Sequence, residues 1–207
     1  MKFKDIFLNF FGAFYIIIAL LAFYDSITYF GFPSILWISY LAFLFIGIGI
    51  LTRNSYLIGS QLNIVFIPYL IWCIDFFYIL ITSKSLWGIA DFLFATEYLL
   101  PKIVTIQHLI IIPIMLISLY FIKFKRKDFW KFSLVQITIV YLLTIIFSES
   151  SKNINWVFRN NLDFEFGEFY PLVWFGAYIF MIILVNFCIT RIKSFISIPK
   201  RKLKKFK

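Results

Sequence analysis

The sequence predicts an all-α protein, a polytopic transmembrane bundle of six helices with one interfacial or re-entrant segment. Three observations predict it. Of the 207 residues, 62% are hydrophobic and only 14% charged, where soluble domains carry roughly a quarter. Apolar runs of about 20 residues, the length of a helix that crosses a bilayer, recur along the chain. The polar connections between them are short, so residues 1–195 read as a single transmembrane domain and residues 196–207 as a basic cytoplasmic tail.

The first span covers residues 6–24 and closes at Asp25. Lys2 and Lys4 imitate the charged start of a signal peptide, but no small-residue cleavage site follows, so the span is read as retained. After a turn with Gly31 and Pro33, the second span occupies residues 34–52, with Trp37 as an interfacial aromatic and Arg53 at its end. The third covers residues 56–82. Residues 85–100 are apolar but interrupted by Gly88, Asp91 and Glu97, which suits an interfacial or re-entrant segment better than a span. Pro101 favours the first turn of a fourth span over residues 103–122, which carries Gln107, His108 and Pro113. The fifth and sixth follow at residues 130–148 and 169–190.

The formal charge of +10 raises the question of nucleic acid. The basic residues sit in clusters beside the spans with no soluble scaffold to present them, which points to topology and excludes nucleic acid as the partner. Of the 20 Lys and Arg, all but Lys84, Lys102, Lys152 and Arg159 fall on the side that holds both termini. By the positive-inside rule, this places both termini in the cytoplasm and the chain in the inner membrane. Cys73 and Cys188 lie in apolar runs, make no CxxC and read as small hydrophobes.

The third span holds the chemistry. At about 100° per residue, Gln61, Pro68, Trp72 and Asp75 share one helical face, and a carboxylate in hydrocarbon needs protein or water beside it. Asp75 lies about 10 Å below the outer end of its helix, and His108 about 9 Å below the start of the next. Equal depth on consecutive helices predicts an Asp75–His108 pair, with His108 as general base and Asp75 orienting it. Trp72, Gln61 and the outer-loop residues Asn153, Asn155, Trp156 and Arg159 are the candidate substrate-binding side chains of an outward-facing polar pocket. Gln61 and Asn63 also have a plainer reading, as interhelical hydrogen bonds to Gln136 and Asn186. One histidine and dispersed carboxylates make no metal site, no GxSxG-type nucleophile is present, and no cofactor is expected.

Leu36 with Trp37, the turn Leu51, Thr52, Arg53, the seam Gln61, Trp72, Asp75, Phe76, His108, and above all Asn153-Ile154-Asn155-Trp156-Val157 resemble an uncharacterised family of small bacterial polytopic membrane proteins, over about residues 33–191. That resemblance implies a site and no particular reaction. The layout is also similar to the androgen-induced family of intramembrane threonine hydrolases, which implies that His108 corresponds to their histidine. Their nucleophile would fall on Asn63 or Ser60, and neither is threonine. Three functions follow as expectations. The first is a pocket that binds a lipid-like substrate or acts on it as an intramembrane hydrolase or transferase, with membrane lipid or an amphipathic small molecule as partner. The others are a small proton-coupled carrier or permease and a non-catalytic membrane scaffold subunit.

Overall fold

The computed structural model describes residues 2–160, 166–192 and 195, and among these every regular element is helical. The expected tail at 196–207 lies outside the described residues, as do Asp163 and Glu165 of the outer loop. The helices are α1 (Phe3–Asp25), α2 (Ile38–Leu51), α3 (Ser55–Thr82), α4 (Asp91–Ala95), α5 (Leu99–Ile106), α6 (Ile111–Ile122), α7 (Trp130–Phe147) and α8 (Tyr170–Arg191). Among the described residues, four segments are long and apolar enough to cross a membrane: α1 with its π-helical continuation to Phe30, α3, α7 and the segment containing α8. α5 and α6 make a fifth if they count as one bent span. With 14 residues, α2 is shorter than these.

α3 is the axis of the bundle and packs against α2, α6, α7 and α8. Asn54 caps it, its Oδ1 accepting the N–H groups of Tyr56 and Leu57 at 3.1 and 3.2 Å. Ile58, Leu62, Val65 and Tyr69 are buried along it. So are Ser60, Gln61 and Asn63, which would be costly without partners. Gln61 and Gln136 of α7 exchange amide hydrogen bonds at 2.7 and 3.1 Å. Asn63 Nδ2 donates to Ser133 Oγ and Asn186 Oδ1, and Ser133 Oγ donates to the Ser60 carbonyl at 2.8 Å. The interhelical reading of Gln61 and Asn63 therefore holds, and Gln61 is turned into the α3–α7 interface.

The expected fourth helix is broken. Pro113 has no N–H to offer the carbonyl of Leu109, so the chain tightens into a 3-10 turn over Gln107–Leu109, with Ile110 N–H bonding the Gln107 carbonyl. It restarts at Ile111 with the proline in its first turn, where the missing donor costs nothing. The two halves meet at 51°. Of residues 85–98, only the five of α4 are helical.

α1 and α2 approach closely because glycines face each other. A methyl group on Gly47 would lie 2.8 Å from the Ile16 backbone nitrogen and 2.9 Å from the Gly12 carbonyl oxygen. Gly47→Ala should therefore push the helices apart and cost about 1–3 kcal/mol. Gly176→Ala on α8, where nothing lies within 4 Å, should leave the unfolding midpoint unchanged or slightly raised, and thermal unfolding of both purified variants checks this. For the amide pair, Gln136→Leu alone should cost about 1 kcal/mol by orphaning Gln61, and adding Gln61→Leu should recover most of it. A double-mutant unfolding cycle reads the coupling.

Candidate functional site

Asp75 is fully buried, and its partners are backbone. Oδ1 accepts the N–H groups of Leu86 and Trp87 at 2.8 and 2.9 Å; Oδ2 accepts those of Ile89 and Ala90 at 2.7 and 2.8 Å. The chain reaches this position by reversing at Ser83 and Gly88, which both adopt positive φ. It then returns about two helical turns along α3, and its successive N–H groups form a concave nest for an anion. Four N–H groups use the whole acceptor capacity of a carboxylate.

His108 sits in the 3-10 break between α5 and α6. Its Nδ1 lies 2.6 Å from the Thr105 carbonyl oxygen. A carbonyl only accepts, so Nδ1 carries the hydrogen and the neutral ring keeps Nε2 as an acceptor. Nε2 makes no hydrogen bond among the described residues and is not among the fully enclosed polar atoms. Around the ring stand Tyr69 at 4.2 Å, Trp72 at 5.1 Å and Phe43 edge-on at 6.2 Å between centroids. Trp72 thus stands beside His108 and stacks in turn on Phe76.

The expected Asp75–His108 pair is not formed: no ion pair or hydrogen bond joins them among the described residues. Equal depth was the basis for pairing them, but depth does not determine which donors reach a carboxylate, and the backbone at 86–90 occupies every lone pair. Asp75 therefore does not orient His108. It fixes the loop that leads to α4 and α5.

Two of the expected loop residues, Asn155 and Asn153, are structural clips as well. The Asn155 side chain acts as a surrogate peptide, accepting from Ile38 N–H and donating to the Leu36 carbonyl, both at 2.8 Å. Its own carbonyl accepts from Trp174 Nε1 of α8 at 2.8 Å. Asn153 Oδ1 accepts the N–H groups of Phe158 and Arg159, and its Nδ2 donates to the Arg159 carbonyl. Asn153, Asn155 and Trp156 all have positive φ, which asparagine tolerates best of the side-chain-bearing residues. Arg159 is exposed and enters through its backbone. No hydrogen bond or ring contact links these four residues to His108, so the expected lid over the histidine is not assembled from them.

Other groups escaped the sequence reading. The hydroxyls of Tyr15 and Tyr69 are enclosed and have no hydrogen-bond partner. Tyr69 has the hydroxyls of Tyr178, Tyr15 and Tyr40 as electrostatic neighbours, so α1, α2 and α8 each contribute a tyrosine to its surroundings. Nothing in a tyrosine's spacing distinguishes this cluster from interfacial belts. Asp25, at which the first expected span closes, is 1% exposed with one oxygen unbonded. It precedes the π-helical turn Ser26–Phe30. Among the described residues no group of three or more His, Cys, Asp and Glu could hold a metal.

Compared with known proteins, the chain matches no family model, no curated protein and no solved structure.

Asp75→Ala should strand four N–H groups and release residues 83–90, costing about 3 kcal/mol or more. Asp75→Asn should be nearly as damaging, because its amide presents hydrogens to two of the four donors. Limited proteolysis should cut both variants faster within 83–90, while a role confined to His108 chemistry would leave the cleavage pattern of the wild type.

Proposed function

We propose that this chain is a multi-pass membrane protein that binds a lipid-like amphipath at His108. The observation that carries the reading is the hydrogen-free Nε2 of His108, set at a helix break inside an aromatic shell. Broken helices at membrane depth leave backbone carbonyls and amides unpaired, an arrangement tolerated where protein or a binding site covers them. An acceptor nitrogen suits an uncharged polar head that carries a hydrogen-bond donor, and Tyr69 beside it presents its ring. The surrounding rings suit the apolar part. Binding is favoured over hydrolysis because no hydroxyl is hydrogen-bonded to His108, so a nucleophile lacks its base.

In this reading the 3-10 turn Phe32–Leu36 and α2 together make the second of six spans. The segment held by Asp75 is re-entrant, and both termini lie on the basic, cytoplasmic side of the inner membrane. A carrier is the second reading. It is favoured by the 51° break between α5 and α6, since carriers hold cargo at interrupted helices, but its proton relay would have to run through His108 without Asp75.

The test compares lipids co-purified with native and His108→Ala protein and the turnover of a labelled lipid mixture. The bound amphipath should be about tenfold depleted in the variant, as expected for a lost buried hydrogen bond. Identical lipid content with no turnover in either form removes the proposal.

A further inference from the structure

A cavity of about 410 Å³ lies on another part of the bundle, between α2 and α7. Phe23, Leu36 and Phe45 line one side, and Phe132, Val135 and Ile139 the other. The one polar residue in its wall, Gln136, has turned its amide onto Gln61. Facing α2, α7 meets the 3-10 turn Phe32–Leu36, and the rings of Phe45 and Phe132 close edge-on at 5.6 Å. Between these contacts the side is open, and Val135 and Ile139 are more than half exposed.

We propose that this groove seats one acyl chain of an anionic phospholipid whose phosphate is held by the basic residues at the start of α7. Length supports the chain. The lining runs along α7 from Phe132 to Leu143, about 16 Å at 1.5 Å per residue, and half of a hydrocarbon core about 30 Å thick is about 15 Å. The groove is one leaflet long.

Charge supports the headgroup. Lys131, Val135 and Ile139 are spaced i, i+4, so Lys131 lies one turn beyond the exposed groove wall toward the start of α7. Lys125, Arg126 and Lys127 precede it on an exposed connection. Asp128 is their one nearby carboxylate in sequence, held by Arg126 at 2.6 Å and by Lys131 at 3.7 Å, so the cluster keeps a net positive charge. Trp130, with the Lys131 ammonium 5.9 Å from its ring centroid, marks the depth at which headgroups lie. Basic sites between spans recognise anionic headgroups by this arrangement.

The groove shares no residue with the His108 site, and the two proposals fail separately. The test reconstitutes the full chain in vesicles of equal phosphatidylglycerol and phosphatidylcholine, extracts it in mild detergent and counts retained lipids by native mass spectrometry. Wild type should retain one phosphatidylglycerol in about fivefold preference to phosphatidylcholine. Lys131→Glu, a surface change, should abolish the preference while a lipid is still retained. Ile139→Trp, which fills the groove from its exposed side, should lose the retained lipid. His108→Ala should behave as wild type. Equal retention of the two lipids by wild type overturns the proposal, as does undiminished retention by Ile139→Trp.

Discussion

Four backbone N–H groups converging on the Asp75 carboxylate organise the end of this molecule where α3 hands over to α4 and α5. The residue pulls the chain after α3 back along its own helix, and this return sets where α4 and α5 begin. α5 in turn presents the 3-10 turn that carries His108 against Tyr69 and Trp72. An ionised group placed among apolar helices is tolerable only when its lone pairs are all engaged, and here they are engaged by groups that a tight loop would otherwise leave unpaired. The loop and the carboxylate each remove the other's penalty.

Deeper in α3 the same requirement is met by side chains. Gln61 with Gln136, and Asn63 with Ser133 and Asn186, tie α3 to α7 and α8 at fixed register, since an amide pair has one good geometry where leucine contacts have many. Between the carboxylate nest and the amide network lies Tyr69, packed on His108 and close to three other tyrosine hydroxyls. α3 is thus polar at intervals along its buried face: amides bonded to side chains of α7 and α8, then an enclosed tyrosine hydroxyl, then a carboxylate bonded to backbone.

The legible part of the chain was the part governed by hydropathy and by depth. The ends of α3 and α7 fall within a residue or so of their expected places, because about 20 apolar residues bounded by charge have few alternatives. Gln61 and Asn63 found the partners expected of them, because amides at matched depth on packed helices have little else to bond. Depth alone misled for Asp75. Two groups can be level and face different neighbours, and backbone N–H donors leave no trace in residue identities. Pro113 was the available sign of the break at 107–109, since a proline four residues after Leu109 must free that carbonyl. The Asn153-Ile154-Asn155-Trp156-Val157 run looked like a binding motif and is a folding motif. Its asparagines adopt positive φ and spend both amide ends on backbone at Leu36, Ile38, Phe158 and Arg159.

Removing Asp75 from the chemistry changes what His108 can do. A histidine held by a carboxylate is poised to carry charge. One whose Nδ1 is tied to a peptide carbonyl, with three aromatic rings around it, has nothing nearby to stabilise an imidazolium except those rings and the break in the helix. The neutral acceptor is the form this environment suits, and a neutral acceptor recognises a donor without taking its proton. The proposed recognition of an uncharged head by Nε2, with the apolar body left to aromatic surface, rests on the same saturation of Asp75 that holds the loop in place. The helix scaffold is made rigid by its ionised group, and the site is left electrically quiet.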